Sequence, residues 1–135
     1  RQWNLVDNHE LCYHYLGDFD KEMLKTIKSE KNFNKTPVVE IWHNDGDQVL
    51  AYMRGDLLFV FNFSPTRSFT DYGFLVPTGA YSVVLDTDNK AFGGNGLNDD
   101  EMTHLTNYDP VYVNDRKEWL KLYLPARSAL VLKKN

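Results

Sequence analysis

The sequence predicts a mainly β protein, an antiparallel β-sandwich preceded by a short helical segment. Three observations carry this. The apolar period changes from 3.6 to 2 at Pro37. Beyond it, about six short apolar runs are separated by Gly, Pro and Asn turns, with no helical pattern between them. Aromatic residues make up 14% of the chain, enough to fill a β-core or to supply sugar-stacking faces.

Residues 1–36 read as helical segment plus linker, and 37–135 as the β-domain. Asp7 and Glu10 form an Asp version of the capping box. Leu11 and Tyr15 then share a helical face, with Gly17 placed to end that turn. Leu16, Phe19, Met23 and Ile27 follow at steps of three, four and four, with Lys21, Glu22, Lys25 and Lys28 off the stripe. The polar stretch Ser29 to Pro37 is the linker. Val49, Ala51 and Met53 alternate with Leu50, Tyr52 and Arg54, and Gly55-Asp56 turns the chain. Leu57 to Phe63 is apolar at nearly every position, as in a strand covered on both faces. Ser68 to Val76, Tyr81 to Leu85, a weaker run around His104 to Val113, Trp119 to Leu124 and Ala129 to Leu132 complete the set. Turns at Pro77-Thr78-Gly79 and Pro125-Ala126-Arg127 and a Gly/Asn loop at 91–100 separate them.

A chain of 135 residues is one domain in size and buries about two-thirds of its unfolded surface on folding. Fifteen Lys and Arg against nineteen Asp and Glu leave a net charge of −4, with no basic block, which argues against nucleic-acid or anionic-membrane partners. No apolar run approaches the roughly 18 residues of a membrane helix. The lone Cys12 excludes an internal disulfide and a cysteine-built zinc site, and fits a reducing, cytoplasmic setting. It is most simply a small core residue. The start at Arg1-Gln2-Trp3, without Met or leader features, reads as a piece excised from a longer chain.

Asp86 and Asp88 flank Thr87, and a rise of ~3.3 Å per residue sets them about 6–7 Å apart on one face, within the general range of glycosidase carboxylate pairs. They sit where a strand runs into an Asn/Gly loop, the usual place of turn-forming Asp. Asp86 to Lys90 begins like an EF-hand loop, but Lys90 and Ala91 stand where a ligand and Gly belong. Gly93 to Asn98 resembles a single calcium β-roll turn without the neighbours such turns need. His9 and His14 do not share a helix face, and His43 with Asp45 and Asp47 is first a hairpin turn. No nucleophile-elbow sequence surrounds any Ser. Of the glycosylation sequons, that at Asn62 lies in the most buried-looking strand. No catalytic residue, cofactor or metal is expected. Trp42, Tyr72, Tyr108 and Trp119 each have polar neighbours suited to sugar binding, with core packing as the alternative. From the residues alone the chain reads as a non-catalytic sandwich, with carbohydrate binding open.

Arg1 to Asp7 (RQWNLVD) and Tyr13 to Asp20 (YHYLGDFD) resemble the RQWSLVD…YKFLNDFD segment of 1,4-α-glucan (glycogen) branching enzymes of glycoside hydrolase family 13. The resemblance continues through Val49 to Phe63, Pro65 to Tyr72, Val84 to Asp88, Phe92-Gly93-Gly94 and Leu122 to Leu132. Ser64 departs from it, standing where the family usually has His. The resemblance implies the C-terminal all-β domain of an α-amylase-type enzyme, joined to the last helical stretch of its catalytic (β/α)8 barrel. Such an enzyme transfers an α-1,4 glucan segment to a 6-hydroxyl by a retaining mechanism, using carboxyl groups on the barrel. None of those residues maps onto this chain. The apolar face Leu16, Phe19, Met23 and Ile27 is expected to dock the sandwich and, in the full enzyme, its partner the barrel, fixing their relative orientation. α-Glucan is the expected ligand of the loops around Trp42, Asp71-Tyr72 and Asp86 to Gly94, so that Trp42, Asp71, Tyr72, Asp86, Asp88 and Trp119 are the candidate contacts. A free-standing carbohydrate-binding module and an autonomous hydrolase are the alternatives.

Overall fold

A computed structural model describes residues 13–30, 33–108 and 117–135. The expected Asp7–Glu10 capping box, Cys12 and His9 lie outside the described residues. Among the described residues one α-helix, α1 (Tyr13–Ser29), precedes nine strands: β1 (Val38–Asn44), β2 (Val49–Arg54), β3 (Leu57–Asn62), β4 (Phe69–Phe74), β5 (Ala80–Asp86), β6 (Thr103–Leu105), β7 (Asn107–Tyr108), β8 (Glu118–Leu124) and β9 (Ser128–Lys134). They form a six-stranded sheet in the order β1-β2-β3-β9-β5-β6 and a three-stranded sheet in the order β4-β8-β7. Every pairing is antiparallel.

The period-2 residues of β2 and β3 pair in register, Ala51 opposite Val60 and Met53 opposite Leu58. Their inner face meets Phe74, Leu120, Leu122 and Leu124 of the smaller sheet, and Leu130, Leu132 and Tyr81 complete this core. The other residues of β3, Leu57 and Phe59, face outward, where Leu57, Leu85 and Val131 form a second buried cluster under Phe19, Met23, Phe33 and Phe92. The continuous apolar run of β3 is therefore explained by cover on both sides, a sheet within and a helix without.

Two expectations about the helix need correction. Gly17 does not end a turn: α1 runs unbroken through it to Ser29, because its backbone is not in the left-handed region that a helix-ending Gly uses. Leu16 does not pack on the sandwich but is 64% exposed. The rest of the expected stripe faces the sheet: Phe19 lies edge-on to Phe92 at 5.3 Å, Met23 packs on the same cluster and Ile27 lines the groove beside it, while Tyr15 takes the place of Leu16 against Gly93. The run expected around 104–113 is two short strands broken at the buried Thr106; residues 109–116 lie outside the described residues.

Candidate functional site

The candidate site is a cleft of about 360 Å³ where β1 of the large sheet approaches β4 and β8 of the small one. That size lies at the lower end of small-molecule sites. Two β-bulges build it. In β1 the register shifts between Glu40 and Trp42, so that Trp42 pairs with the inward-facing Ala51 and turns its indole towards the small sheet. In β4 the register shifts between Phe69 and Tyr72. Three residues apart, these two would sit on opposite faces of a regular strand. The extra residue puts both on the core side, rings edge to face at 5.3 Å. Asp71, inside the bulge, has a φ of 51°, a left-handed conformation that a non-glycine residue adopts only at a cost.

A chain of polar contacts fixes the aromatic floor. Trp42 Nε1 donates to the Tyr72 hydroxyl at 3.0 Å, and that hydroxyl donates to Asp47 Oδ2 at 2.9 Å. Arg67 lies 3.4 Å from Asp47 Oδ1 and spreads over the Phe69 ring at 4.8 Å. Burial, reinforced by Asp47 and opposed by the Trp42 N–H, holds the Tyr72 phenol above its ordinary pKa, so it remains a donor. Trp42 is 46% exposed. Trp119 of β8 closes the other side of the cleft against Gly73, where a Cβ would stand 3.6 Å from the indole ring.

Four of the six candidate contacts thus converge: Trp42, Asp71, Tyr72 and Trp119 all line this cleft. Asp86 and Asp88 do not. Both are buried at the end of β5, and the Asp88 carboxylate accepts the backbone N–H groups of Asn95 and Leu97 at 3.0 Å each, which spends it on turn geometry. Tyr108 is exposed on β7 and does not line the cleft. Sequence reasoning missed Asp47 and Arg67. Asp47 read as a turn residue, which it also is, its N–H donating to Asn44 Oδ1; nothing in the sequence joins Arg67 to it. Among the described residues no group of three or more His, Cys, Asp and Glu is placed to hold a metal ion. The cleft pairs one exposed indole with fixed hydroxyl and carboxyl groups, an arrangement suited to holding a polyol ring face and edge.

On the outer face of the large sheet, Phe19, Met23 and Ile27 of α1 line a second, largely apolar groove of about 610 Å³. Tyr52 stacks on Phe59 at 4.9 Å and Phe61 on the exposed Phe63 at 5.5 Å, extending an aromatic row from it. Lys133 of β9 pairs with Glu30 just beyond the helix at 2.7 Å. No helix among the described residues is long and apolar enough to cross a membrane.

Two antiparallel sheets of this order, with an aromatic cleft between them, define an all-β domain. Residues 41–135 match the family described as the alpha amylase C-terminal all-beta domain, and the chain belongs to it. Similarity extends through the helix as well, to proteins named 1,4-alpha-glucan-branching enzyme. That of Emericella nidulans is 44% identical over 134 residues, 98% of this chain. Those of Rhizophagus irregularis and Saccharomyces cerevisiae are each 38% identical over 98% of it. The chain spans 19% of the length of these relatives.

Proposed function

We propose that the chain is the C-terminal part of a cytoplasmic enzyme that branches α-1,4 glucan, with residues 1–36 closing its catalytic barrel and 37–135 forming the β-domain. The domain stabilises and orients the barrel through α1 and the aromatic row beside it, and holds glucan outside the active site at the Trp42 cleft. One observation carries the glucan reading: Trp42, the pair Asp71-Tyr72 and Trp119, from three separate stretches of the sequence, meet in one cleft with the Tyr72 hydroxyl pinned between Trp42 and Asp47. Native gels cast with and without glycogen test it. The chain should be retarded by glycogen, and Trp42→Ala should run unretarded; equal mobility of the unsubstituted chain in both gels would refute glucan binding. Iodine staining of amylose incubated with the chain alone should show no branching.

A further inference from the structure

Asp86 is 2% exposed, yet its Oδ2 meets no hydrogen-bond donor, and neither does the buried Oδ1 of Asp100. The two carboxyl side chains lie within hydrogen-bond reach of each other in the wall of a cavity of about 470 Å³ between α1, the end of β5 and the loop after it. Two carboxyl groups this close, each with a buried oxygen that no donor reaches, are costly when both are charged, and a proton between them removes that cost. A calcium ion takes six to eight oxygens, but those nearby are engaged. Asp86 Oδ1 accepts the Asp88 N–H, Asp100 Oδ2 accepts from Asn89, Asn89 Oδ1 accepts from Ala91, and both Asp88 oxygens hold the loop. A proton needs only the two oxygens that remain.

We propose that Asp86 and Asp100 share one proton and so form a pH-sensitive latch, holding the 87–100 loop, and through it α1, against the sheet. The loop carries the helix directly. Phe92 packs edge-on to Phe19, and a Cβ on Gly93 would stand 2.9 Å from the Tyr15 ring. The proton resides on Asp86, the more buried partner. Burial first, and then the hydrogen bond with Asp100, push its carboxyl up to about 7. Carboxylates outnumber cations around the cavity, where Lys21 is the one cationic side chain among the described residues of the lining. Asp18, Glu22 and Lys21 reach the cavity from α1, Glu101 from the loop side and Asp88 from beneath. His104 of β6, held below its ordinary pKa by burial against the pull of Asp100 and Asp99, is neutral at pH 7.

The folded-state pKa lies above the unfolded value of about 3.9, so the folded chain binds the extra proton between the two. Stability from this group is therefore greatest below about pH 4, falls as pH rises towards 7, and levels off above it. One proton makes the folding equilibrium constant fall by close to tenfold per pH unit inside that window. Urea unfolding of the chain at pH 5, 6, 7 and 8, beside Asp86→Asn, reads this directly. The amide can donate to Asp100 without any charge, so the variant should lack this slope and exceed the parent in stability at pH 8. Equal slopes would overturn the latch. Should the variant fail to fold, carboxyl-carbon NMR of the unsubstituted chain decides: the Asp86 signal should titrate near pH 7, and a midpoint near 4 would overturn the proposal. If calcium chloride at pH 8 stabilises the parent and not the variant, a cation fills the gap and the shared proton is wrong.

Discussion

Asn62 ends β3 with its side chain 2% exposed, on the seam where the two sheets meet. Its amide nitrogen donates to the carbonyls of Arg67, Leu124 and Pro125, and its oxygen accepts the Ser64 N–H. Ser64 continues the turn, its hydroxyl accepting the Arg67 N–H at 3.0 Å. A short hydroxyl at this buried position thus caps the turn that brings Arg67 back to Asp47. Asn62→Ala strands buried carbonyls and should cost about 3 kcal/mol in chemical unfolding; a loss under about 1 kcal/mol would show that water replaces the amide. The burial of Asn62 was legible from the apolar run around it. Its partners were not, because three of them are backbone carbonyls, which no side-chain pattern marks. Asp47 and Arg67 were hidden for a related reason: twenty positions separate them, and only the folded turns make them neighbours.

Elements were legible where period and punctuation agree, as at β2 and β3 around Gly55, whose φ of 62° suits the turn, and at β8 and β9 around Pro125. Bulges were not, since an inserted residue looks like any other until the partner strand is known. The β4 bulge yields a prediction. Asp71→Gly removes the left-handed penalty and should raise stability by up to about 1 kcal/mol, while reducing retardation on glycogen gels; unchanged retardation would exclude the carboxylate from the glucan contact. For α1, the apolar stripe was legible at Phe19, Met23 and Ile27 and failed only at its first position, where Tyr15 and not Leu16 meets the sandwich. Phe19→Ala should cost about 2 kcal/mol, below the 3–5 kcal/mol of a fully buried ring, because Phe19 is only half-buried. A melting temperature equal to the parent's would mean that the helix adds nothing to the sandwich.

At the scale of the whole molecule, the change of period at Pro37 revealed two kinds of structure but not how they pack. A sandwich needs both faces of one sheet assigned, and only the fold shows that the outer face of the larger sheet lies under α1. A chain beginning at residue 37 would bare Leu57, Val131 and the Tyr52–Phe59 stack. Sedimentation velocity should then show self-association that grows with concentration, with a lowered melting temperature; a stable monomer would contradict the role of the helix. The strand order carries a further consequence. β9 lies between β3 and β5, pairing with both, although it is the last of the described strands to be made. On the ribosome the β1–β3 meander and the β5–β6 hairpin must wait apart, each with a naked edge, until residues 128–134 emerge and join them. A message that stops after Arg127 should therefore release a product for chaperones and proteases, one that never gains the cooperative melting of the intact chain.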